Sequence, residues 1–408
     1  MRLRKIFEPK SIAIVGATER AGAVGRAVYQ NVTKGGFKGP VYPVNLKHRT
    51  VFGARCYAYL SRLPEVPDLV VISTPRQSVI TIVEQAGKLG VGGLIILTAG
   101  FKEAGTEGKR LQRELLRAAT KYKLPIGGPN CLGLIHPYVG LNATFAGKNA
   151  RQGRIAFISQ SGALGSSILD WADDQQVGFS YFVSVGDMLN VDYGDLIDYL
   201  GMDSHTSSIL IYMESLNNAR KFMSAAQAFA RRKPIIVLKS GKSSEGAQAT
   251  RSHTGALAGN DSAYDAAFQR AGIVRVRTVA ELFNCARALA TQSRPENNQL
   301  LIITNAGGPG VLATDRLIEQ GGKLATLSKT TVSTLDEALP RHCSRNNPID
   351  LRGDASTNLF QQALEIASKD PAADGLLVIF APQGVTDSAS VADQVVHLNR
   401  HYHKPILA

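Results

Sequence analysis

Ser11-Ile12-Ala13-Ile14-Val15-Gly16-Ala17-Thr18-Glu19-Arg20-Ala21-Gly22-Ala23-Val24-Gly25 is the stretch that decides the fold class. Its residues Ile12 to Val15 form a short apolar run that ends in a glycine turn, too brief for a helix, and Ser11 to Val15 read as a buried strand. Gly25 to Lys34 then reads as a helix. The same strand, turn and helix recur along the next hundred residues. Candidate strands at Val41 to Val44, Leu69 to Ser73, Gly93 to Leu97 and Leu124 to Gly127 alternate with helical stretches such as Arg76 to Leu89 and Glu107 to Tyr122. Near-continuous apolar strands alternating with helices indicate a parallel sheet covered on both faces. Residues 1–145 therefore read as a Rossmann-like domain.

The alternation restarts after the polar stretch Lys148-Asn149-Ala150-Arg151-Gln152-Gly153. Strands at Ile155 to Ile158, Tyr181 to Val185, Ser208 to Tyr212 and Ile235 to Lys239 predict a smaller flavodoxin-like domain over 146–292. The polar, proline-bearing segment from Thr291 to Asn298 reads as a linker. A third series over 299–408 has strands at Leu300 to Thr304, Lys323 to Thr326 and Gly375 to Phe380. It reads as an incomplete domain, because Ile406-Leu407-Ala408 looks like the start of a buried strand. The expected fold class is α/β: a Rossmann-like domain followed by two flavodoxin-like domains, the last truncated.

Composition narrows the function classes. Of 408 residues, 44% are hydrophobic and 19% charged, which fits a globular protein with a core of its own. No apolar run reaches the roughly eighteen residues that would cross a bilayer. The basic start, Met1-Arg2-Leu3-Arg4-Lys5, is followed by no signal-type apolar segment, so a cytoplasmic protein without a membrane role is expected. Cys56, Cys131, Cys285 and Cys343 lie far apart with no CxxC pair, which argues against a disulfide framework or a bound metal. The formal charge is +13, but the cations are scattered and lack interleaved aromatic residues. That pattern suits an anionic metabolite and argues against nucleic acid.

Four places carry chemistry. After the first strand, glycines let the backbone approach a phosphate, and the helix that follows offers unpaired N–H groups. The spacing is not GxGxxG, and the second strand, Val41-Tyr42-Pro43-Val44-Asn45-Leu46-Lys47, brings a cation where dinucleotide folds place a ribose-binding carboxylate. Lys47 is either a solvated lysine beside a plain turn or the partner of a phosphorylated ribose, such as the 3′-phosphate of coenzyme A. Ser73-Thr74-Pro75, Thr98-Ala99-Gly100 and Gly127-Gly128-Pro129-Asn130-Cys131-Leu132-Gly133 mark further strand ends, where open α/β sheets bind ligands.

In the second series, Ile158-Ser159-Gln160-Ser161-Gly162-Ala163-Leu164-Gly165 is another strand, turn and helix start that could cradle a phosphate. Glu214 ends a strand nearby. His253, in Arg251-Ser252-His253-Thr254-Gly255-Ala256, follows the glycine- and serine-rich segment Ser240 to Gly246. A neutral imidazole accepts a phosphoryl group at physiological pH, and a carboxylate can orient its ring. From these residues, His253 is either an exposed loop histidine or such an acceptor. In the third series, Thr304-Asn305-Ala306-Gly307-Gly308-Pro309-Gly310-Val311 repeats the glycine-led helix start.

Taken together, Gly128-Pro129-Asn130-Cys131-Leu132-Gly133, Ser159-Gln160-Ser161-Gly162, Ser252-His253-Thr254-Gly255 and Asn305-Ala306-Gly307-Gly308-Pro309-Gly310 resemble the NDP-forming acyl-CoA synthetase superfamily, which includes succinyl-CoA synthetase and ADP-forming acetyl-CoA synthetase. The resemblance covers essentially the whole chain. It implies an N-terminal CoA-binding domain followed by two ligase-CoA domains. It implies a reaction in which acyl-CoA, NDP and phosphate exchange with acid, CoA and NTP through an acyl phosphate. His253 would be the phosphohistidine and Glu214 its carboxylate partner. The helices starting at Ser161-Gly162 and at Gly308 to Gly310 would direct their N-termini at the phosphate. CoA or acetyl-CoA would lie on Thr18, Gly22, Gly25, Lys47, Ser73, Pro75, Thr98, Gly100 and Asn130. The size of the acid would be set near Ser161 and the Val185-Gly186-Asp187 loop. ATP or ADP with Mg2+ would bind an ATP-grasp domain, which nothing in this sequence supplies, so a partner subunit or further chain is expected, as is an oligomer.

Ile168-Leu169-Asp170-Trp171, Gly178-Phe179-Ser180-Tyr181-Phe182 and Gly322-Lys323-Leu324-Ala325-Thr326-Leu327-Ser328 further resemble the synthetase-like region of Pat-type bacterial protein lysine acetyltransferases. That resemblance implies an alternative, an acetyl-CoA-binding regulatory region joined to a C-terminal GNAT domain. An NAD-dependent oxidoreductase is disfavoured by Lys47 and by the absence of a catalytic His or Tyr/Lys set beside the first domain.

Overall fold

A computed structural model describes residues 3–248, 260–293, 295–384 and 386–408. The first sheet contains β1 (Ile12–Val15), β2 (Val41–Val44), β5 (Leu69–Ile72), β6 (Gly93–Ile96) and β7 (Ile126–Gly127), in the order β2-β1-β5-β6-β7, with β3 (Thr50–Val51) and β4 (Ala54–Arg55) as a separate hairpin. All its pairings are parallel. Helices α1 (Val24–Lys34), α2 (Arg76–Leu89) and α3 (Gly105–Lys121) provide the crossovers. Alternate residues of each strand feed different cores. Ile12 and Ile14 join one buried cluster and Ala13 and Val15 another, so both faces of the sheet are covered. The neighbours of β1 are reached by connections running in opposite directions, which puts a topological switch point between β1 and β5.

The second sheet runs β14-β13-β12-β10-β11-β8-β9. Its parallel part is β10 (Gln152–Ser159), β11 (Phe179–Ser184), β12 (Ser208–Met213), β13 (Ile235–Lys239) and β14 (Val274–Val276). Helices α4 (Gly162–Asp174), α5 (Tyr193–Met202), α6 (Ala219–Phe229), α7 (Asp261–Ala271) and α8 (Val279–Thr291) flank it in sequence. The two remaining strands correct the expected boundary at 145. β8 (Gly133–His136) and β9 (Leu141–Thr144) form an antiparallel hairpin that extends this sheet, with Phe182 paired to Ile135 and Val183 to Leu134. The hairpin satisfies the otherwise open edge of β11, and all eight of its strand residues are buried. The second sheet therefore begins at Gly133.

The two sheets share a core. Ile12, Ile14, Leu69 and Val71 belong to the same buried cluster as Leu134, Ile158, Tyr181, Val183 and Ile209. Met1–Ala286 accordingly forms one compact unit and Arg287–Ala408 a second, with the division inside α8, ahead of the expected linker. In the second unit β15 (Gln299–Thr304) lies between β16 (Lys323–Leu324) and β18 (Gly375–Ile379), and also pairs with β17 (Ile349–Asp350). β19 (Ile406–Leu407) pairs in parallel with β18, which accounts for the apolar end of the sequence. Helix α9 (Gly307–Glu319) follows β15. Among the described residues, no helix is long and apolar enough to cross a membrane.

Candidate active site

The carboxyl edge of the second sheet is organised by Gln160, the residue after β10. Its Oε1 accepts from the Glu214 N–H at 2.9 Å, the Ser215 N–H at 2.9 Å and the Tyr193 hydroxyl at 3.1 Å. Its Nε2 donates to Ser215 Oγ at 2.9 Å. All four groups are buried, so these bonds replace water and are costly to leave unmade. They fix the chain after β12 against the chain after β10, and thereby set Glu214 beside the start of α4. Ser161 caps that helix, its Oγ accepting from the Leu164 N–H at 3.2 Å. The amides of the first turn, led by Gly162, keep the positive end of the helix dipole at this edge.

Glu214 itself is buried, and its charge is felt by its neighbours. Tyr193 is raised well above the ordinary phenol range, by burial first and then by Glu214. Lys239, the last residue of β13, is 5% exposed, and its Nζ donates to the Ser240 carbonyl and lies 4.8 Å from the ring centroid of Tyr264. Burial draws the ammonium below its ordinary value, with the charges of Asp261 and Glu214 opposing that shift. His253 lies outside the described residues.

The expected CoA residues gather at the carboxyl edge of the first sheet. Gly25 sits where a Cβ would come within 2.0 Å of the Gly16 carbonyl oxygen, so glycine lets α1 approach the β1 turn. Ser73 donates its N–H to the Val15 carbonyl and also its hydroxyl, at 3.2 Å. Half-buried Thr18 lies 3.2 Å from His48 Nε2, and Asn45 holds the adjacent loop by donating to Ala17 and accepting from the Lys47 N–H. The Lys47 side chain and Gly22 are exposed on this rim, as is Pro75, which caps α2. Thr98 donates to the Thr74 carbonyl, and the Asn130 N–H donates to the Thr98 carbonyl. Gly100 is committed within the chain, its N–H to Glu103 and its carbonyl to Arg76.

A second set of contacts joins the two carboxyl edges. The Asp187 N–H donates to the Pro129 carbonyl at 2.9 Å and the Leu189 N–H to the Gly128 carbonyl at 3.0 Å. Gly186 makes this approach possible, since a Cβ there would lie 2.2 Å from Pro129 O at a φ of +52°. Asn130 adopts φ +57°, a conformation that asparagine tolerates better than most residues. Asn217 ties the other side, donating to the carbonyls of Asp187 and Met188. In the separate unit, Thr304 Oγ1 accepts from the Ala306 N–H ahead of α9, with Gly308 exposed and Gly310 buried against Thr304.

Gln160, Tyr193 and Lys239 have no part in the reading from sequence. Gln160 stands inside the Ser159-Gln160-Ser161 motif, but its partners come from 33 and about 55 positions away. A charged last residue on the apolar strand Ile235–Lys239 was a usable signal for Lys239.

Three family matches run along the chain in order: the CoA binding domain at residues 10–137, the succinyl-CoA ligase like flavodoxin domain at 152–289 and the ligase-CoA domain at 300–405. The alpha subunit of ADP-forming acetate–CoA ligase II from Pyrococcus furiosus is 39% identical over 408 residues, covering 98% of this chain and 88% of that one. The chain belongs to the ADP-forming acetyl-CoA synthetase alpha-subunit family. The ADP-forming acetate–CoA ligase I of Archaeoglobus fulgidus is 42% identical over 397 residues, and the match spans 97% of this chain but 57% of that longer relative. Among solved structures, the dinucleotide forming acetyl-coenzyme A synthetase 1 of Ca. Korarchaeum cryptofilum, in complex with phosphate and ADP, superimposes with a TM-score of 0.90 at 36% identity. That superposition covers 100% of this chain and 88% of the other. The α/β expectation and the order of the domains therefore hold for this synthetase-family chain.

Gln160→Ala is expected to destabilise the first unit by roughly 2–4 kcal/mol, because it strands several buried donors at once. Urea unfolding followed by circular dichroism checks this; a loss below about 0.5 kcal/mol would mean that the amide does not hold the edge together.

Proposed function

We propose that this chain is the CoA-binding, phosphohistidine-bearing part of an ADP-forming acetate–CoA ligase. With an ATP-grasp partner it would interconvert acetyl-CoA, ADP and phosphate with acetate, CoA and ATP. The observation that carries the reading is the Gln160 clamp, which sets a buried carboxylate, Glu214, beside the capped start of α4. A phosphate needs such N–H donors, and a histidine that accepts a phosphoryl group needs such a carboxylate.

In the thioester-consuming direction a phosphate oxygen attacks the acetyl carbonyl, the C–S bond breaks and CoA departs. A ring nitrogen of His253 then attacks phosphorus of the acetyl phosphate, and acetate leaves. Phospho-His253 passes its phosphoryl group to ADP on the ATP-grasp partner, where Mg2+ would bind. Glu214 orients the imidazole and balances the charge it gains, and the start of α4, at Ser161 and Gly162, offsets the phosphate charge. The start of α9 carries N–H groups of the same kind at Gly308, while Gly310 closes its N–H onto the Ala306 carbonyl within that first turn. Thr18, Gly22, Lys47, Ser73, Pro75, Thr98 and Asn130 form the CoA surface, with Gly25 and Gly100 shaping its backbone. Lys47 answers the phosphorylated ribose. The named relatives are CoA ligases and support this reading over an acetyl-CoA-binding regulatory region attached to a GNAT domain.

His253→Asn is expected to abolish transfer of label from γ-phosphate-labelled ATP to the chain in the complete protein. Undiminished labelling would remove His253 from the reaction. Lys47→Glu is expected to weaken CoA binding about tenfold, or about 1.4 kcal/mol, by titration calorimetry; unchanged affinity would take Lys47 out of the site.

A further inference from the structure

The joint between the two carboxyl edges contains a carboxyl group that the proposed chemistry has not used. Asp187 is 8% exposed, and among the described residues its Oδ2 has no hydrogen-bond partner. A buried carboxylate oxygen without a donor is expensive, so the group either keeps a proton or meets a donor that arrives with a ligand. Its surroundings are defined. Asn130 at the first sheet's edge and Glu103 in the turn after β6 are hydrogen-bonding neighbours of the carboxyl group, and Lys102 lies near it. Among the described residues Cys131 is a further titratable neighbour, and burial pushes that thiol up to about 12, so it stays protonated. Glu103 is anchored by accepting from the N–H groups of Gly100 and Phe101. Burial, and then the Glu103 charge, push the Asp187 carboxyl up to about 7, with Asn130 and Lys102 opposing. Two neighbouring carboxyl groups in unlike environments are a usual arrangement for one that exchanges a proton.

The position matters as much as the protonation. Asp187 lies two residues beyond Val185, whose N–H donates to the Ser159 carbonyl at the end of β10. Gly162, at the start of α4, packs against Leu132. The Asp187 backbone is thus tied to Pro129, next to Asn130 of the proposed CoA surface, two residues after a strand end that is bonded to β10 just ahead of the α4 start. A thiol attacking an acyl phosphate must lose its proton at that place.

We propose that Asp187 is the proton acceptor for the CoA thiol, an inference that rests on the ligase reading above. In the thioester-forming direction the Asp187 carboxylate takes the S–H proton and the thiolate sulfur attacks the acyl carbon. The bond from that carbon to the phosphate oxygen breaks, and phosphate leaves with the bonding pair. In reverse, the C–S bond breaks and the departing thiolate takes the proton back from the Asp187 carboxyl. Asn130 and Glu103 are positioning residues, and Glu103 also sets the pH at which Asp187 works.

The test uses the complete protein with its ATP-grasp part. Asp187→Asn is expected to slow acetyl-CoA formation from acetate, ATP and CoA about 100-fold. It should leave within about twofold the acetohydroxamate made when hydroxylamine, which needs no proton acceptor of this kind, replaces CoA. Wild-type thioester formation should fall on the acid side of pH 7. Glu103→Gln should move that limb down by roughly one pH unit, because it removes the like charge beside Asp187. In the ligand-free protein, a protonated-carboxyl infrared band titrating near pH 7 should be present in the wild type and missing from Asp187→Asn. Wild-type thioester rates in Asp187→Asn, or parallel loss of both products, would overturn the assignment. A wild-type protein that makes neither product would instead sink the ligase reading on which it rests.

Discussion

The amide of Gln160 holds the ends of β10 and β12 together, because its oxygen accepts from two backbone N–H groups and a phenol while its nitrogen serves Ser215. Strand ends in an open sheet are otherwise free to diverge, since the ladder stops and the loops begin. A single buried side chain that meets four polar groups removes that freedom. Glu214 and the capped start of α4 are then held on either side of the same side chain at this edge. The carboxylate and the helix amides are complementary to a phosphorylated group and to the ring that would carry it.

The second constraint is the pairing of the loop around Pro129 with the loop around Asp187. Backbone hydrogen bonds across Gly186 join the CoA-type domain to the flavodoxin-like one, and the shared core beneath makes them one unit. The glycine and the left-handed asparagine are therefore properties of the junction, where two loops approach more closely than ordinary side chains permit.

Much of this was legible in the order of residues. Ile12 to Val15 and its successors announced a parallel sheet because both faces of such a sheet are apolar. The Gly128 to Gly133 and Ser159 to Gly162 motifs marked strand ends because glycine, proline and asparagine constrain the backbone there. The hairpin at 133–144 falls within the 1–145 range read as the first domain, since an antiparallel strand buried on both faces looks like any other apolar run. What decides its place is the open edge of β11, which is a tertiary fact. Gln160 and Asp187 stand in segments that the sequence reading singled out, but the parts they play depend on distant residues. A glutamine in a turn and an aspartate after a strand are ordinary surface residues until distant segments close over them.

The most direct measurement is a crystal structure of the complete protein with CoA bound. The sulfur should lie within hydrogen-bonding distance of the Asp187 carboxyl, beside Asn130 and on the side of the α4 start, with the phosphorylated ribose at Lys47. CoA held on the first sheet with its sulfur directed away from the joint between Pro129 and Asp187 would contradict the arrangement.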